Sequence, residues 1–117
     1  MKIVESLNKT LTLGETTYNY YYRLIRSDAV IRNGKKLNLQ TYGIEVERQD
    51  YSDNNIINIE RDNILFISPQ RHKVHNLLKL AYENEVSPLH LVEVLGEYVD
   101  EYIVDFDDAA LDKVQYN

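Results

Sequence analysis

The chain has no cysteine among its 117 residues. That excludes disulfides, thiolate metal sites and thiol nucleophiles together. Glycine is scarce, four in all, and none is arranged as a phosphate-binding loop. No uncharged apolar run approaches the ~20 residues that span a bilayer, so no membrane association is expected. Met1-Lys2-Ile3-Val4-Glu5 has no apolar core of a signal peptide. A cytoplasmic location is expected by elimination. Only two prolines occur, and both follow serine, at Ser68-Pro69 and Ser87-Pro88.

A chain of this length suits one domain and is too short for two well-cored ones. The net charge of −6 is unevenly placed. Residues 1–63 hold nine Lys/Arg against nine Asp/Glu, whereas residues 64–117 hold four against ten. Within the balanced part, Arg23, Arg26, Arg32, Lys35 and Lys36 crowd together with Asp28 as their one acid. A basic patch near the first hairpins and an acidic C-terminal third bear on partners rather than on fold.

Residues 17–26 alternate as a strand does, with Tyr18, Tyr20, Tyr22 and Leu24 on one face and Tyr21, Arg23 and Ile25 on the other. A further strand over 28–32 runs into Asn33-Gly34, a hairpin signal because a type I′ turn needs φ > 0 at both central residues. The chain returns along 36–48, with Tyr42, Ile44 and Val46 facing one way and Gly43, Glu45 and Glu47 the other. Asp50 to Asn55 reads as a turn. Residues 56–61 predict a strand, and Ile64 to Ile67 a short buried strand or connector; residues 2–13 supply a weaker candidate.

The period then changes to that of helices. Ser68 and Ser87 read as N-caps, each followed by a proline at the first helical position. Val74, Leu77, Leu78 and Ala81 follow at helical spacing, and Asn84 ends that segment. In the second helix Leu91, Val94, Leu95, Tyr98 and Tyr102 form a stripe widened by Val92, Val99 and Ile103. The apolar arc covers about half the circumference, more than a surface helix needs, so this helix should pack on the sheet and on its partner helix or another subunit. The expectation is an α+β fold: an N-terminal antiparallel sheet of four to five strands, then an antiparallel helix pair at about 69–84 and 88–104. The single domain is expected over 1–106, with 107–117 an acidic tail that is either frayed or a loosely docked final turn.

Chemistry-bearing residues form no constellation that outweighs a structural role. His72 and His75 are spaced i, i+3, which lets two rings approach one metal, but the first acid of that helix is Glu83. His90 could meet Glu93 and Glu97 only if faces met; all three histidines read as solvated. Glu45 with Glu47, and Glu93 with Glu97, lie on expected solvent faces where carboxyl pKa values would not be driven apart. No catalytic residue, metal or cofactor is therefore expected. An enzyme would need a cleft joining His90 to carboxylates.

Residues 42–47 (Tyr-Gly-Ile-Glu-Val-Glu), Ile67-Ser68, Leu77-Leu78, Glu83 through Leu91 and Val94 through Tyr98 resemble a family of small uncharacterised proteins of clostridia and related Firmicutes. Its pattern is the Tyr-Gly-Ile strand and a valine, Ser/Thr-Pro, x, His/Thr, leucine helix junction. The resemblance covers about residues 20–104, leaving the stretch before Tyr18 and the acidic tail outside. It implies a bacterial cytosolic protein of β-then-αα layout and carries no activity with it.

Two functions follow as expectations. The first is a non-enzymatic protein–protein interaction or regulatory module, binding itself as a homodimer or another protein through Leu91, Tyr98, Tyr102, Tyr20, Tyr22, Arg23 and Arg26. The second is a nucleic-acid-associated regulator, in which Tyr20, Tyr22, Arg23, Arg26, Arg32, Lys35 and Lys36 would stack bases and track phosphates. A pI of about 5.0 opposes the second.

Overall fold

The computed structural model describes residues 1–32 and 36–115. Four strands, β1 (Lys2–Leu13), β2 (Thr16–Arg32), β3 (Lys36–Ser52) and β4 (Asn55–Ser68), form an antiparallel meander in the order β1-β2-β3-β4. Among the described residues three helices follow: α1 (Arg71–Glu83), α2 (Leu91–Tyr102), entered through a 3₁₀ turn at Pro88–His90, and α3 (Val104–Gln115). The α+β class expected from the sequence is the class observed.

The strands are longer than their hydrophobic patterns suggested. Segments 17–26 and 28–32 are one continuous strand, and so are 56–61 and 64–67. The polar Ser27 and Asp28 do not break β2, because β3 pairs with it without interruption from Thr16↔Ser52 to Arg32↔Lys36. The weak candidate at 2–13 is a full strand, paired from Lys2↔Arg26 to Leu13↔Thr16. The expected hairpin turn at Asn33-Gly34 lies outside the described residues. Two other tight turns are visible: Gly14 has φ 62°, and Asp53-Asn54 have φ 53° and 66°. Asn and Asp tolerate that left-handed region because their side chains bond locally.

β1 pairs with β2 only up to Arg26, and β4 pairs with β3 only from Tyr42 onward. Residues 27–32 and 36–41 therefore project as a two-stranded arm. A 17-residue strand spans roughly 55 Å, which accounts for the 58 × 22 × 18 Å shape.

One face of the sheet carries Tyr20, Tyr22, Leu24, Tyr42, Ile44 and Val46 into the core, against Val74, Leu77, Leu78 and Ala81 of α1 and Leu91 and Leu95 of α2. Full burial of each such side chain stabilises by roughly 1.5–3 kcal/mol. Gly43 solves a different problem. β4 carries extra residues between its pairings Tyr42↔Ser68 and Ile44↔Ile64, and this bulge crosses Gly43 so closely that a Cβ there would lie 2.2 Å from the Ile64 carbonyl oxygen. Only glycine admits such a backbone approach.

The serine-proline starts differ from expectation. Ser68 Oγ does accept an amide, from Gln70 at 3.0 Å, but Gln70 is the N-cap and α1 begins at Arg71. Ser87 makes no side-chain cap bond, and its hydroxyl is buried without a partner. At the other end of α1, Asn84 caps as expected, and its side-chain amide donates to the Leu80 carbonyl at 2.8 Å. α1 has no base in its last turn. Lys9 of β1 supplies one instead, donating to the Tyr82 carbonyl at 2.5 Å, where a cation complements the helix dipole.

Of the expected tail, residues 107–115 continue α3, a docked helix rather than a frayed end. Asp105 and Ala110 are buried, and Lys113 Nζ donates to the Asn38 carbonyl of the arm. The boundary expected at 106 thus cuts a helix.

Candidate interaction surface

Three of the seven residues expected on an interaction surface are core residues. Leu91 and Tyr22 are fully buried and Tyr20 nearly so. The alternation placed Tyr20 and Tyr22 on one face correctly; it could not show that the helices cover that face. Tyr22 donates its hydroxyl to the Val86 carbonyl at 3.1 Å. Burial above all, with Tyr20 beside it, holds the phenol far above the ordinary tyrosine range, so it remains a donor. Tyr98 and Tyr102 are half-buried against the core, their ring centroids 6.4 Å apart, and Lys73 Nζ lies 5.0 Å from the Tyr102 ring.

Arg23 is half-buried on the opposite face of the sheet, where it belongs to a polar layer. Its guanidinium donates to Glu45 at 3.1 Å and to Glu47 at 3.4 Å, and stacks over Tyr21. Arg61 donates to Glu47 at 2.8 Å, Gln49 donates to Glu47 at 2.7 Å, and Tyr51 donates to Gln49 at 2.7 Å. Glu47, expected in solvent, is buried beneath these groups. Burial alone would raise its carboxyl, but the Gln49 bond and the two guanidinium charges outweigh that and hold it below the ordinary carboxylate range. The layer satisfies its own charges and leaves Arg23 committed. Arg26 is half-buried at the base of the arm, opposite Lys2 and Tyr42.

His75 and Arg71 meet Glu5 of β1, at 2.5 Å and 3.3 Å, and His90 lies 3.4 Å from Glu93 at an exposed position. Among the described residues no group of three or more His, Cys, Asp or Glu is placed to hold a metal.

The feature that the sequence reading missed is an apolar groove of about 620 Å³ between the arm and the last helices. Ala29 and Val30 of β2, Phe66 of β4, Val99 of α2, then Ile103, Phe106 and Asp107 line it. Phe66 is 51 % exposed, Ile103 62 % and Val30 50 %. Such a cluster of large apolar side chains in solvent marks a contact site more often than chance exposure does. The only prior signal was Val99 and Ile103 in the over-wide apolar arc of α2; Val30 and Phe66 come from segments whose meeting depends on the arm and on the β4 bulge.

A buried polar node lies next in sequence to the groove residues Phe106 and Asp107. Asp105 accepts from Ser68 Oγ at 2.7 Å and from Lys73 Nζ at 2.9 Å. Burial raises its carboxyl, yet the bonds from Lys73 and Ser68 and the Lys73 charge prevail and hold it below the usual range. β4, α1 and α3 are thereby joined at the residue preceding Phe106.

A four-stranded meander carrying helices on its apolar face, with an apolar groove beside its arm, defines an α+β domain. The chain belongs to a family of unknown function (DUF6514), whose model matches residues 1–101. That match takes in the stretch before Tyr18, which the resemblance had left out. No curated protein and no solved structure matches the chain. Among the described residues, no helix is long and apolar enough to cross a membrane.

Proposed function

We propose that the protein is a non-enzymatic protein–protein interaction module of the bacterial cytoplasm, working through the groove between the arm and α2–α3. The observation that supports this most is the exposure of Val30, Phe66 and Ile103 around one preformed concavity. Burying large apolar side chains in such a site is the usual source of binding energy at protein interfaces. The tyrosine strand offers less than the groove because Tyr20 and Tyr22 are already used by the core.

The nucleic-acid alternative draws less support from the same residues. Base stacking needs exposed rings, whereas Tyr20 and Tyr22 are buried and Arg23 is paired with Glu45 and Glu47.

Co-purification from the source cell separates the two surfaces. A Phe66→Ser/Ile103→Ser variant should lose the proteins retained by the wild type, while Tyr21→Ser/Arg61→Ser on the polar sheet face should keep them. Equal retention by all three proteins, or loss confined to the sheet-face variant, contradicts the reading.

A further inference from the structure

Around the groove the helical residues follow a second pattern. Val92, Gly96 and Val99 of α2 and Ile103 at its C-cap are spaced four, three and four apart, the spacing by which one helix offers a seam to another, and Phe106 of α3 follows three residues on. Val92 and Ile103 are exposed, whereas Leu91 and Leu95, one position out of step, point into the core. Gly96 sits mid-seam, and a Cβ built there would meet nothing within 4 Å. A glycine inside a helix costs about 1 kcal/mol relative to alanine, and among the described residues nothing uses the space it leaves. Close approach of an outside helix would use it.

The rim of this seam is acidic. Glu93 and Asp100 are exposed on α2 at the positions that flank the seam, Asp107 lines the groove, and α2 contains no lysine or arginine. A second copy docking seam to seam would bring its own Glu93 and Asp100 against these acids, and like charges brought together oppose pairing. A helix with apolar residues at three-four spacing and Lys or Arg beside them satisfies both features.

We propose that the groove and the α2 seam take a basic amphipathic helix of a partner protein. This rests on the interaction reading above and specifies its occupant. The apolar side chains of that helix fill the space beside Val99, Ile103 and Phe66, one of them seats over Gly96, and its cations face the α2 acids.

The test is titration of the full-length protein with labelled two-heptad peptides, read by fluorescence anisotropy. One peptide carries Leu at the seam positions and Lys elsewhere, a second has the same composition scrambled, and a third replaces Lys by Glu. The Leu/Lys peptide should bind at least tenfold more tightly than the scramble, more weakly as salt rises, and the Leu/Glu peptide should not bind. Gly96→Leu, at a position with open space, should weaken binding at least tenfold without lowering the melting temperature; Ile103→Ser should weaken it similarly. Equal binding of the scramble, no binding of the Leu/Lys peptide, or an unaffected Gly96→Leu variant overturns the proposal. Sedimentation of the same proteins separates this from failure of the interaction reading. A wild-type dimer dissociated by Gly96→Leu would leave the groove an interface but make its occupant a second copy.

Discussion

Lys73 Nζ lies 2.9 Å from Asp105 Oδ1, so a cation on α1 fixes the first turn of α3 from a position 32 residues earlier in the chain. Asp105 is buried and Lys73 only partly so. Removing the cation leaves a buried carboxylate with Ser68 as its remaining partner, a loss of about 1–3 kcal/mol. Lys73→Met should therefore destabilise by that amount in urea unfolding. It should also raise amide exchange in α3 more than in β2 or β3.

The same carboxylate gives the fold an acid limit. The folded-state pKa values of Asp105 and Glu47 both lie below their ordinary ranges. Their stabilisation is complete above the unfolded-state values and is lost as pH falls through the folded ones. Stability should hold from pH 7 to about 5 and decline below about pH 4. Denaturant midpoints across that range should fall less steeply for Asp105→Asn than for the wild type, although that variant starts lower at pH 7.

The two serines before proline should behave oppositely. Ser68 donates to Asp105 and accepts from the Gln70 amide, so Ser68→Ala should cost roughly 1.5–3 kcal/mol, in the range for hydrogen bonds to charged groups. Ser87 has a buried hydroxyl without a partner, and Ser87→Ala should be neutral or slightly stabilising. Thermal unfolding of the two variants side by side decides this.

Gly43→Ala should be among the most damaging single changes. The added methyl would meet the Ile64 and Leu65 carbonyls, which belong to backbone and cannot rotate away. A loss of roughly 2–3 kcal/mol follows from overpacking of this kind. Gly96→Ala serves as the control, since the space there is open, and helix propensity alone should stabilise it by up to about 1 kcal/mol.

These contrasts show what was legible before the structure. Local chemistry announced itself: alternation around Tyr20, Tyr22 and Leu24, the shift to helical spacing at Val74, the asparagine that ends α1. Properties set by remote partners did not. Gly43 looked like an outward position of an ordinary strand, because the bulge that requires it belongs to β4. Asp105 gave no sign of its structural role, because Ser68 and Lys73 lie far away in sequence. Glu47 looked exposed, because the arginines that cover it come from β2 and β4. The groove was invisible for the same reason: Val30, Phe66 and Ile103 are unremarkable singly and become a surface only when the arm, the bulge and α3 meet.

The most direct test of the groove as the contact site is site-specific photo-crosslinking inside living cells of the source organism. A photoreactive residue in place of Ile103 should give a discrete higher-mass adduct, while the same residue in place of Asn8, on the polar sheet face, should give none. The Ile103 adduct should disappear when Gly96→Leu is added. Adducts formed only from position 8, or none from position 103 while the protein is folded and abundant, would contradict the account.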